Sequence, residues 1–536
     1  MSRRRIIFKP NHPDVQYWID RNNNVGGNLH DSIVFNANIL AEDLTPIRNK
    51  ILRWNLYTAL NLEGVFVPFI TNDNYERTSL GSEIDTNFNF VSTDYSFFSG
   101  LQPDGVSKSI LTNFNPSLIS KYVNTNSGFG FYSDQNLVGS NTRVDIGGNN
   151  VTFPFSYISP RRTNNTALFG LDDNIGGIFS PITFTDTLGL YMITRNNIST
   201  INFYKRPNPT LTGLIDLPNA STGKMNEFFS IFRAGIQYSP ARSRGYMITK
   251  FFSPSDFEYF KNIWDKFIAN TINNLADSYH PTTAQWIKRA QFFGTFINNS
   301  LIDAYEELSN DIEPIRDKIL RWNLFYGLDL TGVFVPYIIN TDNSTNVLGG
   351  SIDSNIGFVA ADYVSSTGLD SLTNITKYVD TGFIPNNISE FGLNDASIGV
   401  YVTENVTAAA ADVSTNPAAQ IIINSRNASN QLVPQLNAGS TAVITDITDA
   451  TGLTMVSRNN SSNVNVYKGA TINQTVTSGS TAKPSTNLFI FRTGNAATGR
   501  RLSGYIIGKA FTNSEYLLLK NAWDKFNTTV GRITIP

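Results

Sequence analysis

The sequence predicts two tandem, mainly β domains, each a jelly-roll β-sandwich with flanking helices. Three observations predict this fold: an internal repeat that spans nearly the whole chain, short β-rich segments within each copy, and a composition in which only 16% of residues are charged. Each copy is large enough to bury a core of its own, because sandwiches of roughly 250 residues routinely form one domain.

The repeat fixes the domain organisation. Residues 12–267 recur as residues 280–526, and the segment 46–56 returns with a single substitution as 314–324. Small insertions and deletions separate the matching segments, and changes of this kind are typical of surface loops on a shared scaffold. We therefore predict a first module over residues 1–279 and a second module, of the same architecture, over residues 280–536.

Strands are predicted through the middle of each half. Short runs of β-branched and aromatic residues alternate there with Gly, Asn, Asp and Pro, as in 128–132, 188–193 and 245–248. Many short strands with turn residues between them indicate an antiparallel sandwich or jelly roll.

Helices are predicted at both ends of each half. A His-Pro pair at His12 and again at His280 precedes apolar residues at helical spacing. Each half closes on a capped helix that ends in the letters W-D-K-F. Between the halves, residues 286–293, which overlap the opening segment of the second half, and residues 302–308 are also predicted to be helical.

A second helix is predicted to begin at Pro46, and its copy at Pro314. Ile47, Ile51 and Trp54 recur there at spacings of four and three, which would place them on one helical stripe. All six tryptophans fall into three corresponding pairs on predicted helices, so we predict that they belong to the buried scaffold.

Composition excludes several classes of protein. The net charge is −2, which gives no general attraction for nucleic acid. No apolar run approaches the roughly 18 residues that span a bilayer, so no membrane insertion is expected. Cysteine is absent, and its absence rules out disulfides, thiolate nucleophiles and Cys-ligated zinc.

A series of short motifs occurs once in each half. In order, these are W-I, I-R-x-K-I-L-R-W-N-L, G-V-F-V-P, I-D-[TS]-N, F-V-x-x-D-Y, R-N-N, G-Y-[MI]-I and W-D-K-F. The series resembles the concanavalin A-like (laminin-G-like) jelly-roll modules found in structural and tail- or head-associated proteins of tailed bacteriophages. Two copies in one chain depart from the single module expected of that family.

The resemblance implies a component of the virion, assembled in the cytoplasm of a bacterial host. Its implied partners are other virion proteins, further copies of the same chain in a homo-oligomer, and a host-surface glycan. No nucleic acid and no membrane are among them.

Searches for catalytic groups give little. The three histidines are His12, His30 and His280, and no zinc-protease, P-loop or dinucleotide-binding motif is present. His12 and His280 correspond and precede proline at a helix start, so we interpret them as structural residues. No catalytic residues are assigned, and the protein is predicted not to be an enzyme.

Matched oxygen ligands are the best candidates for a binding site. They are Asp85, Asn87 and Asp94 in the first half, and Asp353, Asn355 and Asp362 in the second. In segments rich in Ser, Thr and Asn such residues ordinarily cap turns. The alternative is a polar cradle for a ligand or a hard cation. No cofactor and no metal site are predicted, with calcium as the one ion that these oxygens would suit.

Three functions compete. The preferred one is a non-enzymatic virion structural protein with lectin-like domains, and the alternative is a receptor-binding protein that recognises a host glycan. A polysaccharide depolymerase is disfavoured, because it needs two facing carboxylates. If a glycan binds, we expect Phe97, Phe98 or Tyr157 to contact it. Arg195 and Arg458 either clamp the carbonyls of a hairpin turn or face a neighbouring subunit.

Overall fold

The computed structural model describes most of the chain: residues 10–71, 84–135, 144–148, 155–159, 166–173, 178–183, 188–205, 215–218, 221, 223–234, 237–339, 352–371, 376–408, 410–415, 420–469, 472–494 and 496–532. The chain divides into two compact units, Met1–Leu275 and Ala276–Pro536. The boundary predicted from the sequence lies at residues 279 and 280.

Among its described residues the first unit contains four α-helices, two large sheets and a small hairpin, with strands and helices numbered in chain order. The helices are α1 (Pro13–Asn24), α2 (Asp31–Asp43), α3 (Leu62–Val65) and α4 (Pro254–Ala276). The larger sheet holds β1 (Ile51–Asn55), β2 (Ile70–Thr71), β4 (Tyr95–Ser96), β5 (Gly100–Leu101), β7 (Ser127–Ser133), β12 (Gly189–Arg195), β13 (Thr200–Lys205), β14 (Ile215–Pro218) and β18 (Ser243–Thr249). The smaller sheet holds β3 (Thr86–Phe88), β6 (Ser109–Leu111), β8 (Ile146–Gly148), β9 (Phe155–Ser159), β10 (Thr166–Asp173), β11 (Ile178–Thr183) and β15 (Phe229–Ile231). The hairpin is β16 (Arg233–Ala234) with β17 (Gln237–Tyr238).

The second unit repeats this plan. Its helices are α5 (Pro281–Phe292), α6 (Asn299–Ile312), α7 (Leu330–Val333) and α8 (Asn513–Thr529). Its larger sheet holds β19 (Ile319–Asn323), β20 (Ile338–Ile339), β22 (Tyr363–Val364), β23 (Gly368–Asp370), β25 (Ala396–Val402), β29 (Gly452–Arg458), β30 (Asn463–Lys468), β31 (Ile472–Thr477) and β35 (Arg501–Gly508). Its smaller sheet holds β21 (Ser354–Ile356), β24 (Tyr378–Asp380), β26 (Val413–Thr415), β27 (Ile421–Asn424), β28 (Val433–Leu436) and β32 (Leu488–Ile490). The hairpin is β33 (Arg492–Thr493) with β34 (Ala496–Ala497).

Each unit is an antiparallel β-sandwich, as the sequence predicts. The larger sheet of the first unit runs β14-β13-β12-β7-β18-β1-β2, and that of the second runs β31-β30-β29-β25-β35-β19-β20, so the matched strands keep the same order. Aromatic side chains join the two sheets: Phe129 of the larger sheet packs on Phe229 of the smaller, with ring centroids 4.9 Å apart. In the second unit Ile398 and Ile490 belong to one buried cluster drawn from both sheets. The fold class is therefore two tandem, mainly β sandwich domains with flanking helices.

Helices cover the outer face of the larger sheet in each unit. Trp54 of β1 packs against Trp264 of α4 with ring centroids 5.1 Å apart, and Trp322 of β19 packs against Trp523 of α8 at 5.0 Å. All six tryptophans are at most 2% exposed, which confirms their predicted place in the scaffold. The predicted opening and closing helices, and the two predicted before β19, are confirmed as α1, α4, α5, α6 and α8.

The helix predicted from Pro46 is wrong. Residues 48–50 form one turn of 3-10 helix, and Ile51–Asn55 is strand β1, paired with β18 and β2. All five residues of β1 are buried, because one face meets the sandwich interior and the other meets the helices. A strand buried on both faces lacks the alternation that distinguishes it from a helix. The same correction applies to Pro314 and β19.

Within the described part of the chain, none of the helices is long and apolar enough to cross a membrane.

Candidate functional site

The predicted ligand Asp85 lies inside the first sandwich, in a cluster of four polar side chains. Arg53 and Asn55 reach it from β1, and Tyr246 reaches it from β18. Arg53 Nη2 donates to Asp85 Oδ1 at 2.8 Å, Asn55 Nδ2 donates to Oδ2 at 2.8 Å, and the Tyr246 hydroxyl donates to Oδ1 at 2.7 Å. Arg53 Nε in turn donates to the Tyr246 hydroxyl at 2.9 Å. Asp85 directly precedes β3, so the cluster joins the smaller sheet to the larger one.

The second unit repeats this cluster around Asp353. Arg321 Nη2 donates to Asp353 Oδ1 at 2.6 Å, Asn323 Nδ2 donates to Oδ2 at 2.7 Å, and the Tyr505 hydroxyl donates to Oδ1 at 2.8 Å. Burial raises the pKa of both Asp85 and Asp353, and the neighbouring arginine opposes that rise by favouring the carboxylate. A buried charge pair with this many donors is a structural element. Removing one partner of the pair leaves the charge of the other partner buried and uncompensated.

Asn87 and Asn355 close tight turns. Asn87 accepts from the backbone N–H of Phe90 at 3.0 Å and donates to its carbonyl at 3.0 Å. Asn355 makes the same two bonds to Phe358, at 3.0 and 3.1 Å. In the structure these two asparagines are therefore turn-capping residues.

Asp94 and Asp362 cap short 3-10 helices and pair with lysines. Asp94 Oδ2 accepts from the backbone N–H of Val91 at 2.7 Å, and Oδ1 accepts from Lys108 Nζ at 2.6 Å. Asp362 pairs with Lys377 at 2.6 Å. Asp85, Asn87 and Asp94 share no hydrogen-bond partner among the described residues, so the structure does not unite them in one cradle. The residues that the structure describes contain no group of three His, Cys, Asp or Glu side chains placed to hold a metal.

All three histidines cap helices. Nδ1 of His12, His30 and His280 accepts from the backbone N–H two residues later, at 3.3, 3.2 and 3.2 Å. His30 begins α2 as Asn298 begins α6, which explains why a histidine and an asparagine can replace each other at this matched position.

Arg195 and Arg458 clamp hairpin turns. Arg195 Nη1 donates to the carbonyl of Ile198 at 2.9 Å, and Arg458 Nη1 donates to the carbonyl of Asn460 at 3.2 Å. Both side chains are fully buried, which confirms the first of the two predicted roles.

The aromatic residues proposed for glycan contact are not available on the surface. Phe97, Phe98 and Tyr157 are 3%, 1% and 8% exposed. Phe97 and Phe98 pack on each other, so a stacking role for them is corrected to a packing role. A sequence shows that an aromatic residue lies in a loop, but it does not show which way the ring turns.

The buried acid Asp172 was not among the predicted site residues. Asp172 is fully buried and accepts from the Tyr122 hydroxyl at 3.2 Å and from the backbone N–H of Met225 at 3.2 Å. Burial raises the pKa of Asp172 to about 6. The matched residue of the second unit is Asn437, which has the same left-handed backbone conformation.

A polar and aromatic cluster on the outer face of the second unit's smaller sheet was also missed. Val379 of β24 and Leu488 of β32 point into the core, so their neighbours Tyr378 and Phe489 point outwards. The two rings meet edge to face at 5.6 Å. The Arg492 guanidinium lies 4.3 Å above the centre of the Tyr378 ring. We call Tyr378, Asp380, Asn487, Phe489 and Arg492 the outer-face cluster.

Asp380 and Asn487 form the polar side of the outer-face cluster. Asp380 pairs in register with Phe489 across β24 and β32, which places both side chains on one face. Asn487 Nδ2 donates to both carboxylate oxygens of Asp380 at 2.9 Å, and the backbone N–H of Gly382 donates to Oδ1 at 2.9 Å. All five side chains are half-buried. In the first unit, Ser109 and Ser230 occupy the positions that match Tyr378 and Phe489. These differences between the two copies, serine in one and an aromatic residue in the other, are the sequence signal from which the cluster could have been predicted.

Comparison with known proteins finds only distant likenesses among solved structures. No family model matches the sequence, and no curated protein matches it. Among solved structures, domain 4 of an extracellular arabinanase from Geobacillus stearothermophilus, in complex with arabinotriose, is 11% identical, has a TM-score of 0.24 and covers 40% of this chain and 98% of its own. Trypanosoma rangeli sialidase is 9% identical with a TM-score of 0.27, over 69% of this chain and 60% of the sialidase. Its covalent complex with difluorosialic acid is 10% identical with a TM-score of 0.28, over 79% of this chain and 60% of that one.

The prediction that the protein is not an enzyme is wrong by this comparison. The three structures named above are an arabinanase domain and sialidases, which are named as enzymes, and two of the three are bound to sugars or sugar analogues. The likeness at this level of identity concerns the fold alone. The chain belongs to the broad class of β-sandwich proteins, and its own residues have to support any function.

Proposed function

We propose that this protein is a virion component of a tailed bacteriophage, head- or tail-associated, in which two lectin-like sandwich modules present their surfaces to partner proteins. Further copies of the chain and other virion proteins are its partners in this proposal. Assembly takes place in the cytoplasm of the bacterial host.

The observation that carries the proposal is the place of the motif residues in the fold. The R-W-N motif supplies Arg53 and Asn55 to the buried cluster and Trp54 to the helix-covered face. The I-D-[TS]-N motif supplies Asp85, and the G-Y-[MI]-I motif supplies Tyr246. The residues that resemble phage jelly-roll modules are therefore the ones that hold each sandwich together, which supports a shared scaffold.

Mass spectrometry of particles tests the proposal. Phage particles whose genome encodes the chain are purified by density gradient, and the chain is quantified against the major capsid protein. A fixed copy number that persists through repeated purification is the expected result. A chain that is abundant in the infected-cell lysate but absent from intact particles would contradict it.

A second function, recognition of a host-surface glycan, is favoured by one observation. The outer-face cluster combines exposed ring surface with charged and amide groups, which is the chemistry that sugars need from a protein. Stacking uses the apolar face of a sugar ring, and the hydroxyl groups need hydrogen-bond partners at its edge.

A further inference from the structure

The outer-face cluster contains a guanidinium group without an acidic partner. Arg492 Nε donates to the carbonyl of Gly494 at 2.6 Å, and its ring contacts are to Tyr378 and, at 5.9 Å, to Phe489. Within the described residues Arg492 forms no ion pair. Its remaining N–H groups are therefore available for a bound anion, and the planar fork of a guanidinium matches a carboxylate with two parallel hydrogen bonds.

Contacts with neighbouring residues restrict the conformation of Arg492. Its side chain stacks on Tyr378, and its backbone carbonyl accepts a hydrogen bond from the Ser414 hydroxyl of β26. Arg492 as a whole is half-buried, so part of its surface remains accessible to solvent. Because its conformation is already restricted, binding an anion there costs little side-chain entropy.

The rings of the outer-face cluster supply an apolar surface beside this charge. Phe489 and Tyr378 are half-buried, and their edge-to-face packing fixes the angle between the two rings. A ring face of Phe489 that Arg492 does not cover can lie against the apolar face of a sugar.

Acceptors for sugar hydroxyl groups lie on the opposite side of Phe489. Asp380 is its cross-strand neighbour, and Asn487 lies two residues before it, directly ahead of β32. The Asp380 carboxylate already accepts from Asn487 and Gly382, which fixes its orientation and leaves lone pairs for further donors.

The first unit does not reproduce this arrangement. Arg233 stands where Arg492 stands, but its guanidinium lies over Tyr238 of the neighbouring hairpin strand, at 5.4 Å. Ser109, Leu111 and Ser230 replace Tyr378, Asp380 and Phe489. The first unit therefore keeps the arginine and lacks both the platform and the acceptors.

We propose that the outer-face cluster of the second unit is a binding site for a carboxylated sugar, such as a uronic acid residue of a bacterial surface polysaccharide. Arg492 holds the carboxylate, Phe489 and Tyr378 hold the ring, and Asp380 with Asn487 accepts from ring hydroxyl groups. The proposal rests on glycan recognition as the second function, and it gives one site per chain despite the duplication.

Calorimetry on the full-length chain tests this site. The ligands are tetrasaccharides of galacturonic, glucuronic and mannuronic acid, each paired with its carboxyl-reduced form. We expect at least one acid to bind with a stoichiometry near one. Its reduced form should bind roughly tenfold more weakly or not at all, because it lacks the charged acceptor for the Arg492 guanidinium. Arg492→Gln and Phe489→Ser are expected to weaken binding of the acid roughly tenfold or more.

The repeat supplies the controls. Phe489→Ser and Tyr378→Ser introduce the residues with which the first unit folds, and Arg233→Gln removes the matched arginine of that unit. Arg233→Gln should leave binding unchanged, and thermal melting checks that each variant is folded. Three outcomes would each overturn the site: no binding of any acidic tetrasaccharide, equal binding of the acid and reduced forms, or unchanged binding by Arg492→Gln. Binding of neutral sugars alone would overturn the carboxylated ligand and leave glycan recognition standing, and none of these outcomes bears on the presence of the chain in particles.

Discussion

Asp172 and Asn437 occupy the same place in two copies of one fold, with φ of 52° and 53°. Asp and Asn tolerate this left-handed conformation better than other side chains, which explains why the position keeps one of the two. The choice between them matters for charge. Asp172 is a buried acid whose carboxylate accepts from Tyr122 and from the backbone of Met225, whereas Asn437 donates to the carbonyls of Gly392 and Leu393 and carries no charge.

Asp172→Asn is expected to change how stability depends on pH. The folded-state pKa of about 6 lies above the value near 4 of an unfolded aspartate, so the native state holds the proton more tightly. Protonated Asp172 therefore adds fully to the free energy of unfolding below about pH 4. This contribution, roughly 3 kcal/mol in total, is lost as the pH rises through about 6. Urea unfolding from pH 4 to 7.5 should show the variant gaining stability relative to the parent across that window. A difference that does not vary with pH would contradict the assignment.

Tyr57→Phe is expected to stabilise the first unit by about 1 kcal/mol. The Tyr57 hydroxyl is buried with no hydrogen-bond partner among the described residues, and an unsatisfied buried hydroxyl costs about 1–3 kcal/mol. The matched residue is Phe325, which shares the positive φ, at 43° against 46°. The reciprocal change, Phe325→Tyr, should destabilise the second unit by a similar amount in the same denaturation experiment. A loss of stability in Tyr57→Phe would show that the hydroxyl has a partner.

Strands and helices can be predicted from the sequence where one face of the element is buried and, for helices, where capping residues mark the ends. The box Thr512 with Glu515 begins α8 as predicted, and the strands of the larger sheet lie where β-branched and aromatic residues cluster. Strand β1 was predicted as a helix because helices and the core bury both of its faces. Helix α2 was not predicted in the first half, where asparagines interrupt its apolar stripe.

The outer-face cluster lay beyond sequence reasoning for a related reason. Tyr378 lies far along the chain from Phe489 and Arg492, and only the register of β24 with β32 brings it to the same face. By contrast, the repeat singled out Asp85 and Asp353 correctly as paired positions. It did not reveal that both carboxylates turn inwards, because burial depends on the sheets that surround them.

Gly504→Ala is expected to weaken the pairing of β35 with β19. A Cβ at this position would lie 2.3 Å from the carbonyl oxygen of Asn323, and φ is +151°. Overpacking and backbone strain of this kind cost about 2 kcal/mol or more. Gly479→Ala is the control, because nothing lies within 4 Å of its added Cβ. Both variants are compared by urea unfolding, and equal stabilities would contradict the close approach of the two strands.

Duplication has kept the scaffold and changed the surface of the molecule. Both units contain the Arg-Asp-Tyr-Asn cluster, the buried tryptophans and the capped closing helix. They differ at matched positions on the outer face of the smaller sheet, where Tyr378 and Phe489 of the second unit correspond to Ser109 and Ser230 of the first. A chain built in this way can use one module for binding a ligand while both contribute surface for assembly.

The central claim is that the chain forms two sandwiches, and that a buried aspartate in each one links its two sheets. Hydrogen–deuterium exchange of the full-length chain, analysed by mass spectrometry, tests it with Asp85→Asn and Asp353→Asn. Breaking a buried pair costs about 3–5 kcal/mol, so exchange should accelerate in β1, β7 and β18 for the first variant and in β19, β25 and β35 for the second. The claim would be contradicted if either variant accelerated exchange in both sets of strands, or if neither variant accelerated exchange in any of them.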